Sequence, residues 1–265
     1  MDILRRHNVR RSGQGRPTLL FAHGFGCDQQ MWRFVAPAFE ATREVVLFDH
    51  VGCGGSDAAA YDDVRHASLD GYAQDLVDIV RALDLREVVL VGHSVGAQIG
   101  LLASIQAPDR FARLVLVAPS ARYLNDPPAY VGGFDRADID GLIDMMDRNQ
   151  LGWANFLAPL VMNPRNPAEL TEELRASLCA GDPYITRRFA QATFLSDNRA
   201  DLPLVSVPSL LLQCTDDAIA PRTAGDYLHR HLRASTLRTI EAAGHCPHMT
   251  HPRETIEAIR EYLAV

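Results

Sequence analysis

Gly92, His93, Ser94, Val95 and Gly96 follow an apolar, β-branched run at Glu87 to Val91 and lead into the helix-spaced stretch Ala97 to Gln106. A serine between two glycines at a strand-to-helix junction has the form of a nucleophile elbow. The turn is so sharp that side chains flanking the serine would collide with adjoining strands, which is what the glycines avoid. The N-terminus of the following helix favours negative charge and suits an oxyanion forming beside Ser94. The chemistry implied is attack of a hydroxyl on a carbonyl carbon. The plainer alternative is a Gly-rich turn whose serine only caps a helix.

A serine hydroxyl is a weak nucleophile at neutral pH, so it needs a base, and the base needs a group that orients it. The apolar run Leu210 to Cys214 ends in Thr215, Asp216 and Asp217. A weaker run near Thr239 leads to Ala243, Gly244, His245, Cys246, Pro247 and His248. Sites in such sheets assemble on loops after strand C-termini. The chain order Ser, Asp, His makes His245 the candidate base and Asp217 its orienting carboxylate. Asp216 is the rival, better suited to bonding backbone in the turn. The loop His23, Gly24, Phe25, Gly26 directly follows the run Thr18 to Ala22. The amides of Phe25 and Val95 are the two candidate oxyanion donors.

Other residues have weaker claims. His245, His248 and His251 are spaced by three, yet Pro247 and Pro252 break any continuous helix and no carboxylate or cysteine pattern joins them, so no metal is expected. His23 and His93 are expected to bond locally, and His229 and His231 to be solvated. Asp49 to Asp57 superficially resembles a phosphate loop but lacks its spacing and lysine, and is read as a turn in which Asp49 satisfies backbone donors. The five cysteines, Cys27, Cys53, Cys179, Cys214 and Cys246, form no C-x-x-C pair. They are read as reduced thiols of a cytoplasmic protein, three of them filling space near the site loops. No cofactor is required.

These side chains need a scaffold. Short runs at Thr18–Ala22, Val45–Phe48, Val88–Val91, Leu114–Ala118, Leu210–Cys214 and, more weakly, Leu237–Glu241 are continuously apolar, as in a parallel sheet buried on both faces. Helical stripes at Ser68–Leu83 and Pro252–Leu263 alternate with them, so the chain reads as a mostly parallel, doubly wound α/β sheet. Between Tyr123 and Arg199 the rhythm breaks. Helices are expected near Arg136–Asn149, Leu151–Met162, Pro167–Ala180 and Pro183–Ser196. The aromatics Phe134, Trp153, Phe156, Phe189 and Phe194 favour a four-helix lid over plain surface helices. The expected division is a core of residues 1–120 and 200–265 and a lid of residues 121–199. A composition 47% hydrophobic and 22% charged is that of a globular protein. A net charge of −7 argues against nucleic-acid partners and basic membrane attachment. The polar N-terminus lacks the apolar core of a signal peptide, and no stretch has the length of a membrane span.

With these pieces placed, the sequence resembles the RsbQ-like α/β hydrolases, bacterial regulators of the sigma-B stress response, and is similar to the plant strigolactone and karrikin receptors. The matching stretches are HGFGCDQQMW, FDHVGCGGSD, LDGYAQDLVDIV, GHSVGAQIGLLASI, YLNDPPAYVGGF, VPSLLLQCTDDAIAP and GHCPHMTHP. The resemblance implies an α/β-hydrolase fold, the triad Ser94, His245 and Asp217, and a V-shaped four-helix lid over an apolar pocket. By position that pocket would be lined by Phe25, Val95, Phe134, Trp153, Leu157, Phe194 and Ile219. It implies a small hydrophobic ester or lactone as substrate or ligand. In the resembled bacterial system the protein partner is a PAS-domain phosphatase, so a sensor that activates a PAS-domain signalling protein is the alternative function.

Overall fold

The computed structural model describes residues 2–264. Seven strands form one sheet: β1 Arg10–Ser12, β2 Leu19–Ala22, β3 Val45–Leu47, β4 Val88–His93, β5 Phe111–Val117, β6 Ser209–Asp216 and β7 Ser235–Ala243. Their spatial order is β1-β3-β2-β4-β5-β6-β7, all parallel except β1, which runs antiparallel to β3. The doubly wound α/β-hydrolase sheet expected from the sequence is therefore present. Strand β1 is an addition. Its residues are polar and largely exposed at the sheet edge, so no apolar run announces it.

Every residue of β4 is buried, because helices cover both faces of the sheet. One face carries Phe21, Val89, Val91, Val115 and Leu212, and packs against α10 (Pro252–Leu263) through Ala258 and Ile259. The other carries Leu20, Leu90, Leu114, Leu116 and Leu211, and packs against α2 (Leu69–Ala82) and α3 (Val95–Gln106). The shorter helices are α1 (Ile3–Arg6), α8 (Arg222–His231) and α9 (Pro247–Thr250). Between β5 and β6 lie α4 (Arg136–Arg148), α5 (Gln150–Met162), α6 (Ala168–Ala180) and α7 (Pro183–Phe194), within two residues of the expected bounds. Asn149 and Asp182 cap α5 and α7 by accepting from the amides of Gly152 and Ile185. Among the described residues no helix is long and apolar enough to cross a membrane.

Candidate active site

Ser94 follows the last residue of β4 in a conformation uncommon for a residue with a Cβ, φ 54° and ψ −122°. Its neighbours explain how the turn fits. A Cβ on Gly96 would stand 2.5 Å from the His23 carbonyl oxygen and 2.6 Å from that of Ala22, at the end of β2. A Cβ on Gly92 would stand 2.5 Å from the Gly96 oxygen, within the helix that follows rather than an adjoining strand. The Ser94 side chain makes no capping bond. Its Oγ lies instead 2.8 Å from His245 Nε2 and 3.1 Å from the Tyr123 hydroxyl.

His245 Nδ1 lies 2.7 Å from Asp217 Oδ2. A carboxylate only accepts, so Nδ1 carries the proton and Nε2 is left to accept from Ser94. The other carboxylate oxygen, Asp217 Oδ1, accepts the amides of Ile219 at 2.8 Å and Ala220 at 3.0 Å. With Ser94 donating to His245, the Tyr123 hydroxyl donates to Ser94 Oγ. Burial raises the pKa of this phenol well above its ordinary value and keeps its proton in place. Asp216, the rival carboxylate, points away and pairs with Arg165, while its carbonyl accepts from the Gly244 amide.

The backbone of His245 is held at both ends. Its amide donates to Val161 O, 2.7 Å away in the last turn of α5, where helix carbonyls lack internal partners. Its carbonyl accepts from His93 Nε2 at 2.9 Å. The local bonding expected for His93 is thus replaced by one that spans the site. His23 does bond locally, donating to Gly24 O at 2.8 Å. Gly244 has φ +94°, and a Cβ there would stand 2.5 Å from Met162 O. Asn166 Nδ2 bridges the same region, donating to Met162 O and, at 2.8 Å, to Ala243 O.

The amides of Phe25 and Val95 have no acceptor among the described residues. A cavity of about 30 Å³ opens beside Ser94. Its walls include Phe25, Leu157, Val161, Leu178, Phe194 and Ile219, with Leu174, Thr193, Cys27 and Cys246 completing it. Phe134 and Trp153 do not reach it. Trp153 is fully buried one layer back, its ring centroid 6.1 Å from that of Phe25. Phe134 packs beside Leu124 and bonds the Tyr123 carbonyl through its amide. The Val95 side chain packs into the α2–α3 core, leaving only its amide to the site. Phe156 is 55% exposed and faces outward. The resemblance-carrying run YLNDPP contains Tyr123, but nothing in the sequence ties that hydroxyl to Ser94.

Cys27 and Cys246 do not rival Ser94 as nucleophiles. Burial pushes the Cys27 thiol up to about 12 and holds that of Cys246 well above its ordinary value. Asp49 does collect backbone donors, from Gln29 and Gly55. His245, His248 and His251 do not converge. His93, Cys246 and His248 do, with donor atoms within 4.8 Å of one another, though His93 Nε2 is committed to the His245 carbonyl.

The chain matches the alpha/beta hydrolase family over residues 19–258. It is 39% identical to a probable esterase of Oryza sativa subsp. japonica, over 97% of this chain and 95% of that protein. It is 36% identical to karrikin insensitive 2 receptor CA of Petunia hybrida, again over 97% and 95%. The solved structure of a hydrolase from Oleispira antarctica superposes with a TM-score of 0.97 at 43% identity, covering 99% of this chain and 96% of that one. By this sequence match, carried on a sheet of the same type, the chain belongs to the alpha/beta hydrolase family.

Proposed function

We propose that this protein is a serine hydrolase of small, hydrophobic esters or lactones. One observation carries the proposal: the unbroken relay Ser94 Oγ, His245 Nε2, His245 Nδ1, Asp217 Oδ2, with links of 2.8 and 2.7 Å. His245 takes the Ser94 proton as Oγ bonds to the carbonyl carbon. The carbonyl π pair moves onto oxygen, where the free amides of Phe25 and Val95 receive it. The intermediate collapses, the ester C–O bond breaks, and His245 returns the proton to the departing alkoxide. Water, deprotonated by His245, then cleaves the acyl-serine by the same route. Asp217 holds the imidazole in the required tautomer throughout. No step calls on a cofactor. The helical segment 121–199 acts as the lid over a core of 1–120 and 200–265, with Leu157, Phe194 and Ile219 contributing apolar wall. The free thiols support a reducing, cytoplasmic setting.

The test is a time course with p-nitrophenyl acetate, read alongside the intact-protein mass, with Ser94→Ala as control. Turnover that disappears in the variant supports the mechanism, whereas full activity in Ser94→Ala would sink it. A second reading is a small-molecule sensor of the RsbQ-like type, whose partner would be a PAS-domain signalling protein. It is favoured by apolar side chains left on the outer surface of α4 and α5, Met145, Leu151 and Phe156, and by the receptor named among the relatives. A persistent acyl mass after a single burst would favour the sensor over the esterase.

A further inference from the structure

The cavity beside Ser94, about 30 Å³, admits little more than a water-sized group. An ester has to bring both of its halves to Ser94 Oγ, so this space must continue elsewhere. Two neighbouring spaces share its walls. One, of about 100 Å³, meets it at Cys27 and Leu174. The other, of about 430 Å³, meets it at Phe25, Cys27 and Leu178, and its volume is that of a small-molecule site. This larger cleft runs between the 51–58 loop and the facing ends of α6 and α7, past Gly52, Cys53, Ala58, Ile185 and Thr186.

Side chains close the passage between the two. Leu178 lies across the Gly26 backbone, its Cδ2 filling the place a Cβ on Gly26 would take, and Gly26 holds φ +67°. The Phe25 ring stands at 5.5 Å from that of Phe194 and 5.6 Å from that of Phe189. Leucine and phenylalanine can swing to another staggered rotamer with no change in the backbone. We propose that Leu178, with Phe25, is a side-chain gate, and that the cleft behind it takes the larger half of the substrate. This deepens the serine-hydrolase reading and rests on it. The cleft walls carry the carboxylates of Asp28 and Asp182 and no arginine or histidine. The half bound there therefore carries no negative charge, since an anionic group would face like charge.

The experiment compares kcat/KM in two ester series: p-nitrophenyl esters of lengthening acyl chain, and acetates of lengthening alcohol. Turnover of p-nitrophenyl acetate, and its loss in Ser94→Ala, first establishes the underlying chemistry; if that fails, gate and hydrolase reading fall together. Leu178→Ala then raises the preference for the longest ester over the shortest by about tenfold in one series. Ala58→Trp fills the cleft from its exposed rim and touches no wall of the Ser94 cavity. It lowers the same preference, the loss in kcat/KM falling most heavily on the longest ester, and keeps the test open should Leu178→Ala fail to fold. An unchanged chain-length profile in Ala58→Trp, or in a folded Leu178→Ala, would overturn the gate. An ester ending in a carboxylate that is hydrolysed as fast as its neutral counterpart of equal length would overturn the charge assignment.

Discussion

The floor and the roof of the site are held by different forces. Ser94, Asp217 and His245 stand just past the C-terminal ends of β4, β6 and β7, and strand pairing places them: His93 is in register with Val117, and Cys214 with Ile240. Hydrogen bonds then fix each reacting atom. The roof formed by α5, α6 and α7 reaches the cavity through apolar side chains, Leu157, Leu174, Leu178 and Phe194. Two of the roof's polar atoms, Trp153 Nε1 and Thr193 Oγ1, are buried without partners, as are His93 Nδ1 and both ring nitrogens of His248 on the floor. A floor tied by directional bonds tolerates no displacement, whereas a roof held by packing can change shape at the cost of a few contacts. On the proposed mechanism the chemistry belongs to the floor, and the choice of substrate to the roof.

Four changes would break or sharpen that contrast. Ser94→Ala should lower ester turnover by about 10⁵-fold or more without altering the circular dichroism spectrum. Asp217→Asn keeps the shape of the floor but loses the imidazole tautomer. A fall of about 10⁴-fold in kcat is expected, measured on the same ester. A fall under tenfold would mean that the carboxylate is not the orienting group.

Acid should loosen the floor first. All ten histidines lie outside residues 123–199, and His23, His50, His93 and His248 are buried and held neutral by the cost of burying charge. His248 is pushed down to about 3 from its ordinary 6.5. In the unfolded chain it protonates near 6.5, so the stability it contributes is complete above that pH and is lost as the pH falls towards 3. Its share of the slope is about 1.4 kcal/mol per pH unit. Urea midpoints taken at pH 7, 5.5 and 4.5 should fall steadily, and less steeply in His248→Gln; equal slopes would show that this histidine carries none of the acid sensitivity. The smallest effect is expected from Tyr123→Phe, which removes one donor from Ser94 Oγ. One neutral hydrogen bond corresponds to about a two- to tenfold change in kcat, with KM for a short ester unchanged. A large rise in KM instead would place Tyr123 on the substrate.

What was legible in the sequence follows the same division. The meeting of Ser94, Asp217 and His245 could be anticipated because strand ends are marked by apolar runs and the elbow by glycines. The strand β1 could not, since an edge strand of Arg, Arg and Ser lacks a buried face. Helical periodicity places Trp153 and Phe194 on inward faces alike, yet only Phe194 reaches the cavity. That distinction depends on how α5 and α7 pack, which no local pattern encodes. The bonds from Tyr123 to Ser94 and from His93 to the His245 carbonyl join residues 29 and 152 positions apart, and neither leaves a trace in spacing.

The bond from the His245 amide to Val161 O ties the base of the floor to the last turn of a roof helix. That amide proton cannot exchange with solvent deuterium unless α5 lets go. When α5 does, His245 loses one of the two backbone anchors that aim it at Ser94. The exchange rate of this single amide thus counts the openings that release the base, and any compound that fastens the helices down should slow it.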